Sequence, residues 1–223
     1  LRFDVLLGCF TFVMFVAPHE MWSNSYAVLG AAGLFGVAFL MSAAGARREV
    51  FPCEFGLPFL LFVLACVGSL GFTSDRSDSF RVLMFFAAAF LFMFAACTGL
   101  NTKEQLRCVM GFIYAAVILT AVYAFYQRFM GVEVSASFTD LDLNAGVPGR
   151  VYSTLDNPNN YAEFLVLFTP LSTAYAMTEK RPFRRLLLSC GIALPLMALV
   201  MTYSRGCWLA IMVSVVIFVY YAD

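Results

Sequence analysis

What most constrains this chain is a succession of apolar runs, each close to the length of one bilayer crossing, with the charged residues collected between them. The runs lie at about residues 3–17, 25–44, 57–72, 80–98, 106–127, 160–178, 186–203 and 207–222. Each approaches the roughly 20 residues that cover about 30 Å of hydrocarbon as a helix. Hydrophobic residues make up 62% of the sequence and charged residues 13%, against about a quarter charged in a soluble domain. The pattern predicts an all-α, polytopic membrane protein: one helical domain over residues 1–223 with about eight transmembrane helices. The second run is rich in glycine, with Gly30, Gly33 and Gly36, and small residues there permit close helix contact, as in Gly30-Ala31-Ala32-Gly33 and Ala43-Ala44-Gly45.

The first run also fits the short apolar core of a signal peptide behind Arg2. No small-x-small cleavage site follows it, however, and the chain continues into Pro18-His19-Glu20 and Trp22. A first transmembrane helix is the better reading. Because the sequence opens on Leu1 rather than Met, its natural beginning is expected to lie upstream.

Orientation follows from the distribution of Lys and Arg. If the first helix runs outward, nine of these residues face the cytoplasm, among them Arg47, Arg48, Lys103, Arg107 and the anchor Lys180–Arg185, and five face outward. The outer five are Arg76, Arg81, Arg128, Arg150 and Arg205. Trp22, Tyr26, Tyr123, Tyr126 and Trp208 then fall near the outer interface, where aromatic side chains concentrate. A formal net charge of zero gives no electrostatic footprint for nucleic acid. The seven cysteines are odd in number, lack CxxC spacing and sit in or beside apolar runs, so they read as small buried residues rather than a disulfide or metal framework. No metal and no cofactor is called for.

Two polar islands stand out. The outer loop from about Arg128 to Asn159 carries Glu133, Asp140, Asp142 and Asp156, with turn-formers at Asn144-Ala-Gly146 and Pro148-Gly149. At about thirty residues it exceeds ordinary connectors, and loops of that length are either functional or disordered. It ends in Arg150-Val-Tyr-Ser-Thr-Leu-Asp-Asn-Pro-Asn-Asn-Tyr-Ala-Glu163. Asn157-Pro158 is a helix start, with asparagine capping free amides and proline at the first helical position. Capping leaves Arg150 and Glu163 unexplained. Glu163 falls more than a turn inside the sixth helix, where a carboxylate needs a partner such as a neighbouring arginine, or a water-filled cavity.

The second island, Thr202-Tyr-Ser-Arg-Gly-Cys-Trp208, interrupts the apolar stretch from Leu186 to Ala222. It keeps Arg205 at the outer boundary, either as a snorkelling helix-end arginine or as part of a site. Two arginine forks beside helix amino termini suit a phosphate or diphosphate: the planar guanidinium binds its oxygens bidentately and helix amides add partial positive charge.

Together the two segments resemble the bacterial O-antigen ligase and O-antigen polymerase superfamily. The resemblance covers residues 149–210; the preceding helices are similar only in general character. It implies a multi-pass glycosyltransferase of the bacterial inner membrane, active on the periplasmic or external face. Such an enzyme transfers a glycan from an undecaprenyl-diphosphate carrier to a lipid or sugar hydroxyl without a nucleotide sugar or metal. On that resemblance Arg150 and Arg205 are catalytic, stabilising the diphosphate leaving group, and Asn157, Asn159, Glu163 and Ser204 shape the same pocket. The implied partners are a lipid-linked glycan donor, a lipid or glycan acceptor and membrane lipids.

A general base is also needed for the acceptor hydroxyl. In the family this is a histidine in a long external loop after the second arginine motif, and the sequence stops at Asp223 before any such loop. The expectation is therefore an amino-terminal portion of a longer protein. The sole histidine, His19, matches no family motif and reads as an interfacial surface residue. Asp75-Arg-Ser-Asp78 has the spacing of a solvated turn, and no phosphate-binding loop, nucleophile elbow, zinc-protease or dinucleotide fingerprint is present. The alternative function is a transporter of a small anion such as bicarbonate, since proteins with similar Asn-Pro-Asn and Ser-Arg-Gly patterns have carried that label. A transporter would hold its charges near the bilayer midplane, often on broken helices.

Overall fold

The computed structural model describes residues 2–17, 26–44, 53–131 and 149–222. Among the described residues the regular elements are all helices, with no strand. The helices are α1 (Phe3–Val16), α2 (Tyr26–Ala44), α3 (Cys53–Ser69), α4 (Arg76–Gly99), α5 (Lys103–Met130), α6 (Pro158–Met177), α7 (Pro182–Gly191), α8 (Ala193–Met201) and α9 (Arg205–Ala222). A helix stands at every apolar run of the sequence. Three stretches, Ser77–Gly99, Lys103–Met130 and Pro182–Met201, are long and apolar enough to cross a membrane; Phe3–Val16, Ala27–Ser42 and Arg205–Tyr221 are shorter apolar helices. Large apolar side chains face outward along them, such as Leu209, Met212, Val213, Val216 and Val219 on α9. In water that surface would aggregate, whereas in lipid it is solvated. This is a membrane-embedded helical protein.

Chain contacts divide it into two compact units, Leu1–Phe10 with Trp22–Cys108 and Thr11–Met21 with Val109–Asp223, the division falling inside α1 and α5. In the first unit, Ala27, Ala31, Leu34 and Ala38 are buried. Their spacing of three and four residues puts them on one face of α2, which packs along α4. Gly30 lies against the Phe10 ring, which a Cβ would overlap, so glycine is required there. Gly33 and Gly36 face open space instead. Among the small residues expected to permit close helix contact, Gly30 meets Phe10 and Ala31 is buried. At the start of α4, Asp75 caps the helix by accepting from the amides of Ser77 (3.0 Å) and Asp78 (3.1 Å), and Asp78 pairs with Arg81. The Asp75–Asp78 segment is a capped, solvated turn.

In the second unit α6 packs against α7, α8 and α9. The run predicted at 186–203 is broken in its middle. Pro195 has no amide for the carbonyl four residues back and crowds it, and the Tyr114 hydroxyl of α5 donates to the Leu188 carbonyl at 2.8 Å. Ile192 consequently bonds the Ser189 carbonyl in a tighter turn, at 3.2 Å. Gly191 admits the Tyr114 hydroxyl, which a Cβ would strike. The helix re-forms as α8 and ends at the same end of the unit where α6 begins. There the Val151 amide donates to the Met201 carbonyl at 3.3 Å.

Candidate functional site

The loop ahead of α6 is fastened to α5 by one side chain. Gln127, a buried residue near the end of α5, accepts from the amides of Tyr152 (3.3 Å) and Ser153 (2.8 Å) through Oε1 and donates to the Ser153 carbonyl through Nε2 (3.1 Å). The Ser153 hydroxyl donates to the Thr120 carbonyl (2.7 Å), and the Thr154 hydroxyl to the Phe15 carbonyl (2.9 Å). A buried loop must satisfy its backbone groups, and here side chains of α5 and the loop itself do so. α5 extends to Met130, two residues past Arg128, so the outer loop starts later than the sequence reading had it. The cause is continued helical pairing through a partly polar final turn that faces the loop.

Asn157 caps α6 as expected: its side chain accepts from the amides of Asn159 (2.8 Å) and Asn160 (3.4 Å), and Pro158 occupies the first turn. The helix buries Tyr161, Ala162 and Leu165 and exposes Asn159, Asn160 and Glu163. Asn159 is thereby presented to Arg150, whose Nη2 donates to its Oδ1 at 2.6 Å. The Nε of Arg150 donates to the Thr202 carbonyl at 2.7 Å. Arg150 thus bridges the start of α6 and the turn ahead of α9. Burial pulls its pKa below the ordinary arginine value, and a guanidinium still stays charged.

The turn itself is held by Thr202, which is fully buried; its hydroxyl donates to the Leu199 carbonyl (2.7 Å) and accepts from the Ser204 amide (3.3 Å). Trp208 Nε1 donates to the same Leu199 carbonyl (3.2 Å). Ser204 precedes α9, and its hydroxyl makes no hydrogen bond among the described residues. Arg205 is the first residue of α9; its side chain is exposed, with no ion pair among the described residues. Arg150 and Arg205 therefore lie at one end of the unit, joined through the Thr202–Ser204 turn.

Backbone strain gathers in the same place. Among the described residues the non-glycine positions with left-handed φ are Ser153 (54°), Asp156 (58°) and Tyr203 (54°), all within these two segments. Such conformations cost about 1–3 kcal/mol each and persist where surrounding structure imposes them, often at binding sites.

For Glu163 the sequence left two settings open, a charged partner or a water-filled cavity. It is exposed and makes no ion pair among the described residues. The physical reason is depth: five residues past Pro158 at 1.5 Å each place it only about 7.5 Å below the helix start. It heads a groove of about 440 Å³ between α6 and α9, lined by Val166, Pro170, Leu171, Cys207 and Phe218. A second cleft of about 590 Å³ borders the loop, lined by Tyr123, Tyr126, Tyr152, Thr154 and Asp156. Tyr123 and Tyr126 stack with centroids 5.9 Å apart.

His19 and the loop carboxylates Glu133, Asp140 and Asp142 lie outside the described residues, as do Trp22 and the turn-formers Asn144 to Pro148. Among the described residues no three His, Cys, Asp or Glu side chains could share a metal ion. Sequence reasoning missed Gln127 and the seat of Arg128. Arg128 Nη2 donates to the Tyr203 hydroxyl at 3.3 Å, and its guanidinium carbon stands 5.9 Å from the centre of the Tyr203 ring. A polar Gln-Arg pair closing an apolar helix was the available signal. The chain matches no protein-family model, no curated protein and no solved structure.

Proposed function

We propose that this chain, with about eight transmembrane helices, is a bacterial inner-membrane glycosyltransferase of the O-antigen ligase type. It would act on the external face, moving a glycan from an undecaprenyl-diphosphate carrier to a lipid or sugar hydroxyl. The observation that carries this reading is Arg150 seated on the Thr202 carbonyl, three residues from the exposed Arg205 at the head of α9. These bonds fix where the Arg150 guanidinium stands at the head of α6.

In the proposed reaction the acceptor oxygen attacks the anomeric carbon of the first sugar, and the bond from that carbon to the diphosphate oxygen breaks. The electron pair leaves with the diphosphate, whose growing negative charge Arg150 and Arg205 stabilise. Asn159 holds Arg150 in place, and Asn157 holds Asn159 by starting the helix. The apolar groove headed by Glu163 suits the prenyl chain, running from the arginines down between α6 and α9. The tyrosine-lined cleft beside Asp156 suits a saccharide. Ser204 contributes a hydroxyl beside Arg205. The base that accepts the hydroxyl proton is not assigned.

Anion transport fits less well. The broken helix at Gly191–Ala193 has the geometry transporters use at mid-span, yet the group that meets it is the Tyr114 hydroxyl, not an ionisable cation. The arginines stand at helix ends.

The test is complementation of a deletion strain with the intact protein. Arg150→Ala and Arg205→Ala, inserted in the membrane at wild-type levels, are expected to lose surface glycan and accumulate the lipid-diphosphate-linked glycan. Full restoration of surface glycan by both variants would overturn the proposal.

A further inference from the structure

We propose that Arg128 is a third guanidinium of the same anion site, contacting the diphosphate beside Arg150 and Arg205 with Tyr203 as its aromatic seat; this rests on the diphosphate reading above. Arg128 and Arg150 come from different elements, the end of α5 and the loop before α6, yet they are fastened to adjacent residues of one turn, Tyr203 and Thr202. Arg205 follows two residues later.

The way Arg128 is held argues for a ligand-facing role. It is partly buried, and its Nη1 is shielded from solvent without a hydrogen-bond partner among the described residues. The Tyr203 bond is long and satisfies one of five donors. A ring face attracts a guanidinium without consuming its N–H groups, so this seat orients the fork and leaves donors available. Tyr203 takes a left-handed backbone to present that ring, a conformation that a bulky residue avoids unless its surroundings impose it. A lone snorkelling arginine would need neither the strained tyrosine nor the shielded Nη1. Arg81, in the other described outer turn, is by contrast paired with Asp78 and has no such seat.

Three forks around one turn fit a group with more than one charge and several oxygens. A diphosphate has both, and an isolated halide has neither.

The experiment measures inorganic pyrophosphate and farnesyl diphosphate binding to the full chain in nanodiscs, by ligand-induced thermal stabilisation and by isothermal titration. Arg184→Ala, on α7 at the far end of the unit, serves as the control. Wild type is expected to bind both probes, and Arg128→Ala to weaken each about tenfold. Arg128→Lys, which keeps the charge but loses the fork, is expected to weaken them about threefold to tenfold. A purely structural Arg128 would lower the melting temperature equally with and without ligand and leave affinity unchanged. Affinity within twofold of wild type for Arg128→Lys and Arg128→Ala, while Arg150→Ala loses binding, overturns the third-fork assignment alone. Failure of wild type to bind either probe overturns both this inference and the diphosphate reading.

Discussion

The turns that open α4 and α6 are built alike and finished differently. At the start of α4, Asp75 caps the helix and Asp78 takes up the charge of Arg81, leaving an exposed and closed arrangement. At the start of α6, Asn157 caps the helix in the same way. There the nearest cations are bound to a carbonyl, an amide oxygen and a ring face: Arg150 on Thr202 and Asn159, and Arg128 on Tyr203. Left-handed φ at Ser153, Asp156 and Tyr203 belongs wholly to this second arrangement. A cation beside a carboxylate is finished structurally. A cation seated on a carbonyl, an amide oxygen or a ring face beside a strained backbone is held in a set orientation.

Mutations can break that contrast, and the largest effect should come from the arginines. Arg150→Ala or Arg205→Ala is expected to lower glycan transfer by the intact protein about 10²-fold or more, the scale on which removal of a charge-stabilising donor acts. Arg81→Ala should leave transfer within twofold, because its exposed pair is worth at most about 1 kcal/mol. An initial-rate assay on membranes compares the three. Equal losses at Arg81 and Arg150 would erase the distinction.

The next effect concerns the fastening of the loop. Gln127→Ala strands the amides of Tyr152 and Ser153 and the Ser153 carbonyl. It should destabilise the protein by about 2–3 kcal/mol, since each buried polar group left unpaired carries a penalty of that order. A lowered melting temperature in detergent, with transfer reduced alongside, is the expected result. An unchanged melting curve would show that the loop does not depend on α5.

Asn159→Asp sharpens the comparison by making the α6 turn resemble the α4 turn. It gives Arg150 a carboxylate partner, which should weaken diphosphate binding about tenfold while leaving stability within about 1 kcal/mol, the usual range for a partly exposed pair. Binding titration and thermal melting separate the two quantities. Unweakened binding would mean that the neutral amide at Asn159 is not what the site requires.

The smallest effect is at the caps. Asp75→Ala and Asn157→Ala should each cost about 1 kcal/mol, measured by thermal melting. Only Asn157→Ala should also reduce transfer, because Asn159 and through it Arg150 take their position from the start of α6. Equal transfer by both variants would detach the cap from the site.

The helices and the cap of α6 were legible in the sequence because they depend on neighbours: apolar length sets the helices, and Asn-Pro sets the start of α6. What could not be read is what distant residues do to one another. Gln127 reaches Tyr152 over 25 positions, and Arg128 reaches Tyr203 over 75. Tyr114 reaches Leu188 over 74 and helps break a helix that reads as continuous from its apolar content. The setting of Glu163 was left open for a related reason: an apolar run does not say how exposed a residue in it is, and only the fold shows Glu163 near the start of α6 beside a groove. Arg150 and Arg205 were singled out as interruptions of apolar pattern, and their shared turn came only with the fold.

The most direct measurement is the affinity of farnesyl diphosphate for the full chain in nanodiscs, compared among wild type, Arg150→Ala, Arg205→Ala and Arg184→Ala. Wild type is expected to bind tightly, Arg150→Ala and Arg205→Ala to lose that binding, and Arg184→Ala to keep it. Wild-type affinity in both Arg150→Ala and Arg205→Ala would contradict the diphosphate reading.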